Sequence, residues 1–310
     1  MRKKIISIIA AASAIFALAA CGVSETPAAD GGLNIVVTTD ALYEITSAIG
    51  GDKVAVTNIT GNAEPHDFEP KPRDIETLQK AELFVYNGFG LDSWGGSLTV
   101  KTSLAAAEAI AVPIELGEDG HHHYGDEEEF EHDHNSHEGH LHDPHVWLSP
   151  DGAAVMARAI FEKLAELDAG NADYYEANYL AFEQEMYALK AEFEPQFAAA
   201  KTRVFVTGHA ALGYLARDFG LEQRSVEDAF ASGEPTAKQL AELAAFCNES
   251  GIRVILAEAA ASKAVSETLA RECGAEVATV YTMERAQDGL SFTERMRHNL
   301  ETVLSALNAT

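Results

Sequence analysis

Residues 171–198 read NADYYEANYLAFEQEMYALKAEFEPQFA, and this stretch decides how the rest of the chain divides. It is a single long helical run whose proline, Pro195, sits close enough to its end to bend or stop it. At 1.5 Å per residue, some 25 helical residues reach roughly 38 Å, the length of a domain. Such a helix serves either as a rigid strut between two lobes or as one more surface helix of a single large domain.

On both sides of it, strands alternate with helices. Upstream, residues 33–39 predict a strand, 40–49 a helix stopped by Gly50-Gly51, 54–59 a strand, 73–81 a short helix, 83–86 a buried strand and 112–116 a last strand. A helix over 151–167 leads into the long one. Downstream, 203–207 predicts a strand running into Gly208-His209 and a helix through 219. A helix over 234–250, a strand over 252–256, a helix over 262–273, a strand over 276–281 and a closing helix over 291–307 follow. Alternation of this kind implies parallel sheets. The expected fold is therefore α/β, with two lobes, each a mostly parallel sheet flanked by helices, joined by one long rigid helix. The N-terminal lobe takes 33–167, the linking helix 168–199 and the C-terminal lobe 200–310. No internal repeat is obvious by eye. The glycines of Asn87-Gly-Phe-Gly-Leu-Asp-Ser-Trp94 have the wrong spacing for a dinucleotide fingerprint and read as a turn; nothing resembles a Walker A loop.

The first residues predict export. Arg2, Lys3 and Lys4 precede an apolar run of small residues to Ala20, too short to span a membrane, so 1–20 reads as a signal peptide. It ends Leu18-Ala-Ala-Cys21, which resembles the lipobox of bacterial lipoproteins; that resemblance implies cleavage before Cys21 and its lipidation, with 21–32 as a flexible tether. The formal charge of −27 becomes −30 once Arg2, Lys3 and Lys4 are removed, which argues against nucleic acid or anionic lipid as a partner and suits a protein that attracts cations. Cys247 and Cys273 are the other cysteines, and outside the cytoplasm they would form a disulfide or remain two buried thiols; the residues leave both open.

Between Glu118 and His142 stand eight histidines and nine carboxylates in 25 residues. The histidines are His121, His122, His123, His132, His134, His137, His140 and His142. Without apolar periodicity this run belongs in a solvated, mobile loop, and its imidazoles and carboxylates suit zinc and neighbouring metals. It stops at Asp143-Pro-His-Val-Trp-Leu-Ser-Pro150, whose prolines, tryptophan and single histidine predict order.

In open parallel sheets, ligands bind beyond the carboxyl ends of the strands. His66, His145, His209 and Glu284 each follow a predicted strand, two from each lobe. Three imidazoles and one carboxylate complete a tetrahedral set that favours zinc. Asp67, Glu69, Asp143, Glu258 and Asp288 are carboxylates able to orient those rings or to replace a ligand.

Several stretches then agree with one family. They are Glu64-Pro-His-Asp-Phe-Glu-Pro70, residues 87–94, the His/acid loop, residues 143–150, Thr207-Gly-His-Ala-Ala-Leu-Gly-Tyr214, Gly233-Glu-Pro-Thr236 and Met296-Arg-His-Asn-Leu300. The chain resembles the zinc-binding lipoproteins of the cluster A-I solute-binding proteins, the metal receptors of ABC importers. The resemblance puts His66, His145 and His209 at the first three ligand positions. Manganese members carry Glu at the third, so His209 implies zinc. The fourth ligand is Glu284 in Val280-Tyr-Thr-Met-Glu284, which lacks the proline of the family's motif, with Asp288 or water as alternatives.

The resemblance further implies a monomer that is membrane-anchored by its lipid. It captures Zn2+ between its lobes without catalysis and delivers it to an ABC permease with its ATPase. A zinc hydrolase is a rival, because three histidines with an open fourth position are catalytic geometry, but no His-Glu-x-x-His is present. A surface adhesin and a manganese receptor are the others.

Overall fold

The computed structural model describes residues 32–116, 142–230, 236–259, 263–287 and 289–309. The signal peptide and tether, Cys21, the loop histidines from His121 to His140 and the alternative ligand Asp288 lie outside the described residues.

The first sheet is built from β1 (Leu33–Val37), β2 (Val54–Asn58), β3 (Leu83–Tyr86) and β4 (Ser103–Ala105) in the order β2-β1-β3-β4. The second contains β5 (Val204–His209), β6 (Glu222–Glu227), β7 (Val254–Glu258) and β8 (Glu276–Val280) in the order β6-β5-β7-β8. Every pairing is parallel. The two sheets therefore share one strand order, first strand inside and second at the edge, an internal repeat of topology that the residues do not display. Helices α1 (Asp40–Gly50), α2 (Pro72–Lys80) and α3 (Pro150–Leu167) belong with the first sheet; α5 (Gly213–Asp218), α6 (Ala237–Ser250), α7 (Ala264–Cys273) and α8 (Phe292–Asn308) belong with the second.

Between them runs α4 (Ala172–Ala198), 27 residues that continue through Pro195. Its buried residues are Tyr175, Tyr179, Phe182, Met186, Leu189, Phe193 and Phe197, spaced three or four apart, so one narrow stripe faces inward. That stripe packs on α1 and α3 on one side and on α8 on the other. The result is a strut pressed against both halves. A single apolar core runs beneath it, from Ile35 and Val85 through Trp147 and Phe182 to Phe205, Val280 and Leu300. The layer formed by α6 and α7 has its own smaller core, which holds Cys247 and Cys273. Both are free thiols, and burial, together with the neighbouring Cys273, pushes the Cys247 thiol up to about 12.

Three details differ from the expectation. Among the described residues, 112–116 form no strand; Glu115 makes an isolated antiparallel bridge with His142, and Val112 is exposed. The last strand of the first sheet is instead β4, three residues of which none is fully buried. In the second sheet, β6 (EQRSVE) was not expected as a strand; it buries only Gln223 and Val226.

Candidate metal centre

Each side chain of the site is delivered by the end of a strand or the connection that follows it. His66 sits in a single 3-10 turn, Pro65–Asp67, between β2 and α2. His145 lies in the connection from β4 to α3, just before the turn Val146–Leu148. His209 is the last residue of β5, and Glu284 lies between β8 and α8. The four expected residues thus come together, with one ligand atom from each lying within 4.8 Å of all the others.

The fit is closer than proximity. His209 Nε2 is 3.4 Å from His145 Nε2, Glu284 Oε1 is 3.3 Å from His66 Nε2, and the same oxygen is 3.6 Å from His145 Nε2. A tetrahedral ion with bonds of about 2.0–2.1 Å separates its ligand atoms by about 3.3–3.4 Å. His66 Nε2 and Glu284 Oε1 are buried without a hydrogen-bond partner. Buried polar atoms are rarely left so, and a cation among them supplies what is missing.

The outer nitrogens are tied. Asp143 Oδ1 is 2.8 Å from His145 Nδ1 and also accepts the backbone N–H of His145 at 2.9 Å. Glu258 Oε1 is 3.2 Å from His209 Nδ1 and accepts the His209 backbone N–H at 3.1 Å. A proton held on Nδ1 leaves the Nε2 lone pair facing the centre. Gly208 permits this arrangement at β5, because a Cβ there would stand 2.6 Å from Glu258 Oε2. The Asp143 loop is itself fixed: Tyr214 donates its hydroxyl to the Asp143 carbonyl and Asn87 Nδ2 donates to that of Pro144, both at 2.9 Å. The glycine stretch 87–94 closes as a turn on the buried Asp92, which accepts from the amides of Asn87 and Gly88 and from the Thr38 hydroxyl.

Glu284 is aimed by its neighbours. Met283 has φ +57°, a turn that non-glycine residues take only where the surroundings hold them there. Thr282 donates its hydroxyl to Glu284 Oε2 at 2.9 Å, and Trp147 Nε1 donates to the Thr282 carbonyl at 2.7 Å. Asn299 clasps Tyr281 through both its backbone groups. His298, by contrast, bonds the Thr279 carbonyl and takes no part in the site.

The charges are coupled. Burial alone would lower His145, but its hydrogen bond to Asp143 and its contact with Glu284, with the charges of both, outweigh burial and push it up to about 9. His209 is likewise raised, with the Glu258 carboxylate overcoming burial. Burial opposes ionisation of Glu284, yet the imidazoles of His145 and His66 beside it hold the carboxyl well below the usual range. Protons on these rings are what a cation would have to displace.

Of the carboxylates named from the sequence, Asp143 and Glu258 take the orienting role. Asp67 lines the cavity beside the site. Sequence reasoning missed three others: Thr282, Phe230, whose ring stands edge-on to His66 at 6.2 Å, and the pair formed by Glu64 and Arg285 at 2.8 Å. For Arg285 the only available signal was its position next to Glu284.

Comparison with known proteins agrees with this geometry. Residues 35–306 match the family described as ZnuA, zinc-uptake complex component A, periplasmic. A putative metal-binding protein of Treponema pallidum is 38% identical over 97% of this chain and 96% of its own length. The zinc-binding lipoprotein AdcA of Streptococcus pneumoniae is 34% identical over 97% of this chain, which spans only 60% of AdcA. A Zn(II)-bound mutant variant of AdcAII from Streptococcus pneumoniae superposes with a TM-score of 0.77 at 30% identity, covering 89% of this chain and 99% of that one. With nearly its whole described length matched, this chain belongs to the ZnuA family of zinc-uptake components.

Proposed function

We propose that this chain is an extracytoplasmic receptor that captures Zn2+ between two lobes and hands it to the permease of an ABC importer, whose ATPase is a separate chain. The observation that carries the reading is the convergence of His66, His145, His209 and Glu284, whose ligand atoms lie within 4.8 Å of one another, three of the pairs at 3.3–3.6 Å. Three imidazoles and a carboxylate select zinc over manganese. The Glu284 oxygen occupies the fourth position, which a hydrolytic zinc would leave to water, so the site captures and does not catalyse.

The lobes divide at 168–199, and the chain acts as a monomer. Lipidated Cys21 and the tether after it hold the protein at the outer face of the cytoplasmic membrane, or in a periplasm. The histidines of residues 118–142 gather zinc loosely and pass it inward. No helix among the described residues is long and apolar enough to cross a membrane.

The test is metal analysis of the mature protein after dialysis against zinc and manganese in turn, alongside ester and peptide hydrolysis assays. One tightly held zinc per chain, weak manganese and no turnover support the reading. Turnover abolished by a chelator and restored by zinc would replace it with a hydrolase.

A further inference from the structure

The groups around the centre are unequally shielded. Side-chain exposure is 0% for His145, 8% for His209, 10% for His66, 22% for Arg285 and 35% for Glu64. That order runs from floor to rim, along a cavity of about 90 Å³ that all of these except His145 line. Phe230 stands on the side of the rim against the His66 ring.

His66 is also held differently. Asp143 fixes the His145 ring and Glu258 the His209 ring, whereas among the described residues the only carboxylate paired with His66 is Glu284 itself. With no carboxylate behind it, the position of its ring depends on the turn Pro65–Asp67 that carries it. The preceding residue, Glu64, reaches across the cleft and accepts a hydrogen bond from Arg285 Nη2 at 2.8 Å, between residues 221 apart in sequence. Arg285 stands on a firm mount. The segment before it is bonded to the amides of Asp40 and Ala41, to Trp147 and to Asn299.

We propose that the Glu64–Arg285 ion pair is a latch across the mouth of the metal site. Arg285 acts through Glu64 to keep the His66 turn over the cation, and so sets the rate at which metal leaves. Arg285 is thus a positioning residue, and the inference rests on the metal-receptor reading above. A partly exposed ion pair is weak enough to open readily, which suits a latch and limits its effect to about two- to fivefold. Charge alone predicts the opposite sign: a guanidinium beside a divalent cation repels it, so removing the guanidinium would slow release.

The experiment is stopped-flow release of zinc from the loaded full-length protein into excess fluorescent chelator, comparing wild type with R285M, R285K and E64Q. The latch predicts release about two- to fivefold faster in R285M and E64Q, with the melting temperature of the metal-free protein nearly unchanged. It predicts R285K close to wild type, because an ammonium can still pair with Glu64. An R285M protein that releases zinc at the wild-type rate or more slowly overturns the latch. Failure of the wild type to take up one tight zinc per chain would overturn the receptor reading instead, and the latch with it.

Discussion

The backbone amide of Asp40, the first residue of α1, donates to the carbonyl of Glu284 at 2.9 Å. A helix start leaves several N–H groups without partners. Here the amide of Asp40 is answered by Glu284, that of Ala41 by Met283 at 2.8 Å, and that of Leu42 by the Thr39 hydroxyl. The loop that carries the carboxylate leaves the second sheet but is registered against a helix of the first. Ligands from both halves are thereby set on one frame, and small shifts at the rim rather than wide closure fit such a frame.

Arg295 reinforces that frame. Fully buried on α8, it donates to Asp40 Oδ2 at 2.7 Å and to Glu44 on α1. Replacing it strands the buried carboxylate of Asp40, a change that costs about 3–5 kcal/mol. Arg295→Ala should lower the unfolding free energy of the metal-free protein by about that much in urea titration. A loss below about 1 kcal/mol would show that Asp40 finds another partner.

The carboxylates behind the histidine rings set affinity. Asp143→Asn and Glu258→Gln should each weaken zinc binding about 10–100-fold while leaving one site per chain. Gly208→Ala should act in the same direction, because its methyl group meets the Glu258 carboxylate. Competition with a chelator of known affinity measures all three, and unchanged affinity in both carboxylate variants would remove these groups from the site's function.

Trp147 ties the site to the core. Trp147→Phe keeps most of the buried ring but leaves the Thr282 carbonyl unpaired, at a cost of about 1–3 kcal/mol. Thermal unfolding with and without zinc should show the metal-free and loaded forms both weakened. Wild-type stability and affinity in this variant would mean that the bond does not hold the Glu284 loop.

Acidity separates the empty protein from the loaded one. His145, about 9 when folded, lies above its unfolded value of about 6.5, so its protonation stabilises the metal-free fold fully below pH about 6.5. That contribution fades as pH rises through about 9. Zinc needs the same nitrogen unprotonated, so its affinity runs the other way. From pH about 6.5 to 9.5, the melting temperature of the metal-free protein should fall while the increment due to zinc grows, as scanning fluorimetry would record. A zinc increment that shrinks with pH would contradict this displacement of protons.

Much of this was legible in the sequence because the informative residues are buried. Strands β1, β3, β5 and β7 are short apolar runs, and the four ligands lie at the end of a strand or in the connection after one. The failures lie at edges. Residues 112–116 carry the apolar pattern of a strand, yet Val112 faces solvent. The edge strands β4 and β6 bury too little to leave a pattern. Glu284 lies beside the three histidines, but its anchorage on α1 was hidden, since backbone carbonyls leave no mark in a sequence. The pairing of Glu64 with Arg285 was hidden as well, by their separation of 221 positions in sequence.

The most direct test of the central claim is zinc binding by the mature protein lacking residues 118–142, titrated against a chelator of known affinity with and without His209→Ala. The account predicts one tight zinc in the shortened protein and collapse of that binding in the His209→Ala variant. Loss of all tight binding with the loop alone would contradict it, and would place the metal among the loop histidines instead of between the lobes.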